Sequence, residues 1–301
     1  MRYDSLLRKI RRHSKVRRLQ LPMKSCLCAL TLLAIAALAP MAGAQEAPAS
    51  SSVLDNCQAI AKDNARLDLI AKLCDFAFKY RHALPDFIVQ QKTTSEGMSK
   101  TVMTAQVTYQ KGLENYSQVT VDGRPAPASS FSANPPNSIQ FSSSGEFGPA
   151  LLDLFKVPGA TEFKFSRIAS LQNQPVAVYE FHVPQKKNVF WTFRLANGRS
   201  YAPEFTGELW LRQQTGEPLR EQMTPVNLPA NWDFTSAKTV IDYSRVAVGD
   251  AGTFILPVKS ETTLCNLGMF GLGACSTNVT VFHGYRKFGI TTRIVNGPDV
   301  Q

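Results

Sequence analysis

Glu204, Glu208, Glu217 and Glu221 could supply a carboxylate pair, one carboxyl giving a proton and the other taking it. They fall in "EFTGELWLRQQTGEPLRE", a strand–turn–strand pattern in which carboxylates read as solvated turn and edge residues. No serine sits in a G-x-S-x-G nucleophile elbow, and "SSSGEFG" lacks the apolar strand-to-helix setting that such an elbow needs. His82, His182 and His283 are far apart and have no H-E-x-x-H partner or zinc-ligand spacing. The glycines of "GMFGLG" miss the G-x-G-x-x-G spacing, and no βαβ unit surrounds them. The expectation is a protein that is not an enzyme, with no cofactor and no metal.

Cysteine chemistry is more informative. Residues 1–44 carry a basic run from Arg2 to Lys24, then "CLCALTLLAIAALAP", then Ala42-Gly43-Ala44. This is the pattern of a secretory signal peptide cleaved after Ala44, and Met23 would start a more compact version of it. The apolar run of about fifteen residues is short for a span of roughly twenty, and no later stretch is long enough. The mature chain is therefore expected in the periplasm or outside the cell, with no transmembrane span. It keeps Cys57, Cys74, Cys265 and Cys275, an even set suited to disulfides in an oxidising compartment. Cys265 and Cys275 stand at the two stems of a hairpin and are expected to pair, worth about 2–3 kcal/mol for so short a loop.

Removing the signal also removes most of the charge. The whole chain is +10, but residues 1–44 hold nine Lys/Arg and one acid, Asp4. That leaves 24 of 33 basic and 22 of 23 acidic residues, about +2. No basic stripe remains, so nucleic acid is rejected as a partner.

The elements that position these residues divide simply. Residues 45–52 form a small, polar tail. In the helical segment 53–84, Leu54, Cys57, Ile60, Ala61, Asn64, Leu67, Ile70, Ala71, Cys74 and Ala77 recur at three-to-four spacing. One continuous helix is the reading adopted. It would hold Cys57 and Cys74 roughly 25 Å apart. A break at Asp63-Asn64 would instead make a helical hairpin and permit a bond. From 85 to 291 the pattern is strand-like: "FIVQQKTT", "TVMTAQVTYQ", "NYSQVTVDG", "TEFKFSRIASL", "PVAVYEFHV", "VFWTFRL", "GELWLRQQ", "PLREQMTPV", "AKTVIDYSRVAV", "TFILPVKSETTL" and "NVTVFHGYRKFGI". Turn signals such as Asn197-Gly198 separate them. A Pro/Ser-rich insert at 124–145 interrupts the rhythm, "EFGPALLDLFKVPG" reads as a short helix, and 292–301 is a tail. The fold class expected is α+β: a large curved antiparallel sheet, with the N-terminal helix and the short second helix over its concave face.

At "GELWLRQQTGEPLREQM" and "TVIDYSRVAVGDAGTFILPVKSE" the chain resembles the lipoprotein-carrier superfamily. That superfamily includes the periplasmic carrier that shuttles lipoproteins, its outer-membrane receptor and a sensor of mislocalised lipoproteins. The chain is also similar to uncharacterised secreted bacterial proteins sharing "LPDFIVQQ" (Leu84–Gln91), "SGEFG" (Ser144–Gly148) and "YRKF" (Tyr285–Phe288). The match spans roughly residues 85–290 in short motifs. It implies an unclosed antiparallel barrel, helices over the concave side, and an apolar cavity that holds acyl chains. The Pro/Ser insert departs from the carriers, and no carrier functional residue maps onto this chain.

Phe163, Phe165, Tyr179, Phe181, Trp191, Phe193 and Trp210 lie at period-two spacing on neighbouring strands and are the candidate lining of such a cavity. Plain core packing would use the same residues. Met269, Phe270 and Leu272, between the paired cysteines, either fold back as a plug on the sheet's open end or form a membrane or partner contact. Arg286 and Lys287 read as charges protecting an edge strand. The functional expectation is an extracytoplasmic binding or carrier-like protein for a lipid or other apolar ligand. The alternative is an envelope interaction protein with a filled core and an envelope protein as partner.

Overall fold

The computed structural model describes residues 50–62, 64–97, 99–128, 147, 149–188, 191–194, 200–229, 232, 234–266 and 273–289. The expected signal peptide, most of the polar tail and of the Pro/Ser insert, the Asn197-Gly198 turn, Met269, Phe270 and Leu272, and the C-terminal tail lie outside the described residues.

The expectation of one N-terminal helix is corrected. The segment is a helical hairpin of α1 (Ser50–Lys62) and α2 (Asp68–Ala83). Asn64 is extended at φ −153°, and its side-chain oxygen accepts the Arg66 N–H at 3.0 Å, capping a 3-10 turn over Ala65–Leu67. The chain reverses there, which brings the Cys57 and Cys74 Cα atoms to 5.5 Å and closes a disulfide. Three-to-four spacing could not reveal the reversal, because each arm of a hairpin buries an apolar stripe of its own. α2 stops at Ala83 because Leu84 precedes Pro85 and is driven to an extended ψ of 124°.

The strands are β1 (Phe87–Glu96), β2 (Lys100–Gln110), β3 (Leu113–Val121), β4 (Arg124–Pro125), β5 (Glu162–Leu171), β6 (Gln174–Val183), β7 (Phe193–Arg194), β8 (Ser200–Tyr201), β9 (Glu204–Arg212), β10 (Pro218–Val226), β11 (Phe234–Ala247), β12 (Thr253–Asn266) and β13 (Ala274–Lys287). Eleven of them form one open antiparallel sheet in the order β4-β3-β2-β1-β13-β12-β11-β10-β9-β6-β5. It is the α+β half-barrel expected, with a short helix α3 (Pro149–Asp153) beside α2. From β5 to β13 the sheet is a meander with one excursion: of "VFWTFRL" the described residues 191–194 are not in the large sheet, and Phe193–Arg194 pairs with Ser200–Tyr201 as a separate ribbon. The first hairpins then join the last strand through β1 and β13. That pairing qualifies the edge-strand reading of Arg286 and Lys287: both pair with β1, opposite Ile88 and Phe87, while the pairing of β13 with β12 ends at Val281. Cys265 and Cys275 face one another across β12 and β13, with Cα atoms 4.0 Å apart, and form the second disulfide.

Alternation decides which face each side chain meets. One row crosses the inner face through Met103, Thr93, Thr280, Ser260, Ile241, Glu221, Leu209, Tyr179 and Phe165, each opposite the next. At the β5–β6–β9 end the row is aromatic and aliphatic. Ile70, Leu73, Cys74 and Ala77 of α2, with Leu151, Leu152, Leu154 and Phe155 in and after α3, are buried in the same cluster. Each fully buried aliphatic side chain is worth about 1.5–3 kcal/mol. Toward β1 and β13 the face turns polar, with Gln91, Thr93, Ser95, Asn278, Thr280 and Ser260 all buried and a 2.8 Å bond between the Thr93 and Thr280 hydroxyls.

Candidate functional site

A cleft of about 390 Å³ opens between α2 and the sheet. Its helical wall follows from an i, i+4 pattern: Phe76 and Tyr80 stand one turn apart with ring centroids 5.1 Å apart, above Ala83. Thr253, Phe254 and Ile255 of β12 form the opposite wall. The rim is ionic and paired. Lys79 binds Asp75 at 2.6 Å, and Glu217 takes Arg212 at 3.1 Å and also Arg245. Gly216 fixes this end of the cleft. It has φ +76°, and a Cβ there would sit 3.1 Å from the Lys72 Cβ, so only glycine lets the β9–β10 turn lie against α2. Inside, the Tyr80 hydroxyl is buried and has no hydrogen-bond partner. Burial, then the neighbouring Tyr109, push its pKa well above the usual phenol value.

None of the seven candidate aromatics lines this cleft. Tyr179 and Phe181 are buried in the main core, and Phe163, Phe165, Trp191 and Phe193 pack against it. The Tyr179 hydroxyl donates to the Arg66 carbonyl at 2.8 Å, tying the sheet to the helical hairpin. Phe155 stacks on Phe163 at 5.4 Å, and Trp191 meets Phe205 edge-on at 4.2 Å. Trp210 is on the other face, because its neighbours Leu209 and Leu211 point inward. There it lies between the Arg167 and Arg220 guanidiniums, 5.3 and 5.9 Å from its ring centre, and donates to Glu208 at 3.0 Å. The cleft residues were missed in the sequence, although the Phe76/Tyr80 spacing and the Asp75/Lys79 pair were readable as two faces of one helix.

The four glutamates do not form an acid–base pair. Glu204 accepts from His182 at 2.9 Å and Glu208 from Arg167 at 2.7 Å, and these partners lower both carboxyl pKa values. Glu221 departs from the solvated reading entirely. It is 0% exposed, and burial raises its pKa to about 8. The Tyr243 hydroxyl donates to its Oε2 at 3.1 Å and opposes that rise, while the charge of Asp153 adds to it. Its Oε1 has no partner. Alternation alone would have placed Glu221 inward, opposite Leu209 and Ile241. His182 lies on β6, with its Nδ1 3.3 Å from Glu162 and its Nε2 held by Glu204. His82 is on α2, and His283 is exposed on β13. Among the described residues no cluster of His, Cys, Asp or Glu could hold a metal ion.

No family model matches the chain, and no curated protein matches it. Several solved structures are similar to it. One is a LolA superfamily protein from Nitrosomonas europaea, 13% identical, covering 72% of this chain and 94% of that one, with a TM-score of 0.35. A DUF1329 family protein from Desulfovibrio piger is 11% identical over 74% and 95% of the two chains, with a TM-score of 0.36. A putative outer membrane lipoprotein-sorting protein domain from Vibrio parahaemolyticus is 12% identical over 73% and 93%, with a TM-score of 0.38. The half-barrel assignment itself rests on the strand order and the alternating burial.

Proposed function

We propose that the mature chain is a non-enzymatic, extracytoplasmic binding protein of carrier-like architecture that takes a lipid acyl chain or another apolar ligand between its sheet and its helices. The observation that carries this reading is the cleft between α2 and β12, with Phe76, Tyr80, Phe254 and Ile255 as walls and paired charges at the rim. Its volume falls within the range of small-molecule sites, which are mostly apolar with a few polar groups. Binding would draw on buried apolar area at about 25 cal/mol per Å², less the cost of immobilising the ligand. Two disulfides suit an oxidising compartment. No helix among the described residues is long and apolar enough to cross a membrane.

The test is native mass spectrometry and lipid extraction of the mature protein, followed by titration with a fluorescent fatty acid. Lipid that co-purifies, or saturable probe binding weakened by Ile255→Trp, supports the reading. Absence of both overturns it. A second reading, an envelope interaction protein, is favoured by one observation: Phe163, Phe165, Tyr179, Phe181, Trp191 and Phe193 fill the β5–β6–β9 side as packed core. Under that reading the protein binds no probe and crosslinks to an envelope protein through an exposed surface.

A further inference from the structure

Two guanidiniums share one carboxylate at the rim of the cleft. Glu217, 18% exposed, takes the Arg212 Nε on Oε2 at 3.1 Å, and Arg245 reaches both of its oxygens through Nε and Nη2. Arg212 is the fixed member. Its side chain is 25% exposed, its Nη1 donates to Gln174, its backbone N–H donates to the Glu217 carbonyl at 2.9 Å, and it does not line the cleft. Arg245 is the spare one. It lines the cleft, is 59% exposed, and its Nη1 has no partner among the described residues. Alternation sets it on the inner face, two residues after the inward Tyr243 and opposite Ile255 of the cleft wall. On the helical wall Lys79 already neutralises Asp75 at 2.6 Å, and Lys72, beside Gly216, is paired with Asp68. Arg212 suffices for Glu217, so the surplus positive charge of the rim sits on Arg245. The dipole of α2 does not cancel it. Gly216 places this corner against Lys72, roughly 16 Å from the end of the helix at Ala83, and the negative end of a helix is felt only over its last turn.

We propose that the cleft selects amphiphiles whose head carries one negative charge, a carboxylate or a phosphodiester, and that Arg245 is the residue that selects them. The proposal rests on the ligand reading of the cleft given above. Arg245 turns from Glu217 to the head group, and Glu217 keeps Arg212, so the exchange strands no carboxylate. A guanidinium presents its N–H groups as a planar fork that meets two oxygens of either anion at once. The acyl chain then lies along Phe76, Phe254 and Ile255. A cationic head has no such place, because to reach Glu217 it must displace one arginine and face the other.

Isothermal titration of delipidated mature protein tests this with two matched pairs of probes: dodecanoate against dodecanol, and lysophosphatidylglycerol against the monoacylglycerol of the same chain. In at least one pair the anion should bind about two- to fivefold tighter than its neutral counterpart at low salt, the range of a partly exposed ion pair. That preference names the anion, and it should shrink as salt is added. The readout is the ratio of the two affinities. Arg245→Gln should bring it close to one. Arg212→Gln should lower it as well, although Arg212 does not line the cleft, because Glu217 then retains Arg245. Cooperative urea unfolding of each variant confirms that it is folded. Neutral and anionic probes that bind equally well, or a ratio that persists in either variant, overturn the assignment and leave the ligand reading standing. Absence of binding by all four probes overturns both.

Discussion

Replacing Tyr80 with phenylalanine should stabilise this protein, against the usual direction for a core substitution. The Tyr80 side chain is 6% exposed and its hydroxyl has no partner, so folding strips water from a polar group and returns nothing. Such a group costs about 1–3 kcal/mol, whereas an apolar group of the same shape is close to neutral. Phenylalanine keeps the ring that packs 5.1 Å from Phe76 and deletes only the oxygen. The expected gain is about 1 kcal/mol, set against a typical point substitution that loses about as much. Urea unfolding of delipidated mature protein reads it: with a slope of about 1–3 kcal/mol per molar, the midpoint should rise by roughly 0.3–1 M at unchanged slope. A midpoint that falls by a similar amount refutes the reasoning. The hydroxyl would then be hydrogen-bonded in solution, and the cleft would be wet at that point.

Other consequences are checked more quickly. Thiol counting on unfolded mature protein should find none of the four cysteines free, and removing Cys57–Cys74 should cost about 3 kcal/mol in urea unfolding, slightly more than removing Cys265–Cys275, because its loop spans 17 rather than 10 residues. Gly207→Ala should lose at least about 1–3 kcal/mol, because its Cβ would lie 2.1 Å from the Gln222 carbonyl and 2.3 Å from the Phe181 ring. Adding Phe181→Leu should recover only the ring's share, and a loss below about 0.5 kcal/mol would show that the strands part easily. His182 should titrate above its ordinary 6.5 by NMR, chiefly because Glu204 holds the charged ring. That contact stabilises the fold below the ordinary value and is lost as pH rises through the raised one, and Glu204→Gln should lower the midpoint.

The sheet was legible because its physics is local. Strand runs, their turns and the period-two burial follow from neighbouring residues, and the Cys265–Cys275 hairpin needs only ten residues of chain. What escaped depends on partners distant in sequence. Nothing near "YRKF" says that Arg286 will lie opposite Ile88, and without β1 beside it β13 reads as an edge. The Cys57–Cys74 bond turned on one residue, Asn64, whose choice of a cap over a further helical turn is a small energy difference in an otherwise unbroken apolar stripe. Glu221 is the instructive failure. Its charge class argued for water, while its position, two residues before the inward Met223 and opposite the inward Leu209 and Ile241, argued for the core. For a strand in a two-faced sheet the second argument is the stronger, because a one-residue slip to free the carboxyl would turn every inward neighbour on β10 out to solvent. A sheet can force a carboxyl inside at the cost of keeping it neutral, and the carboxyls worth testing for function are the ones that alternation places on the inner face.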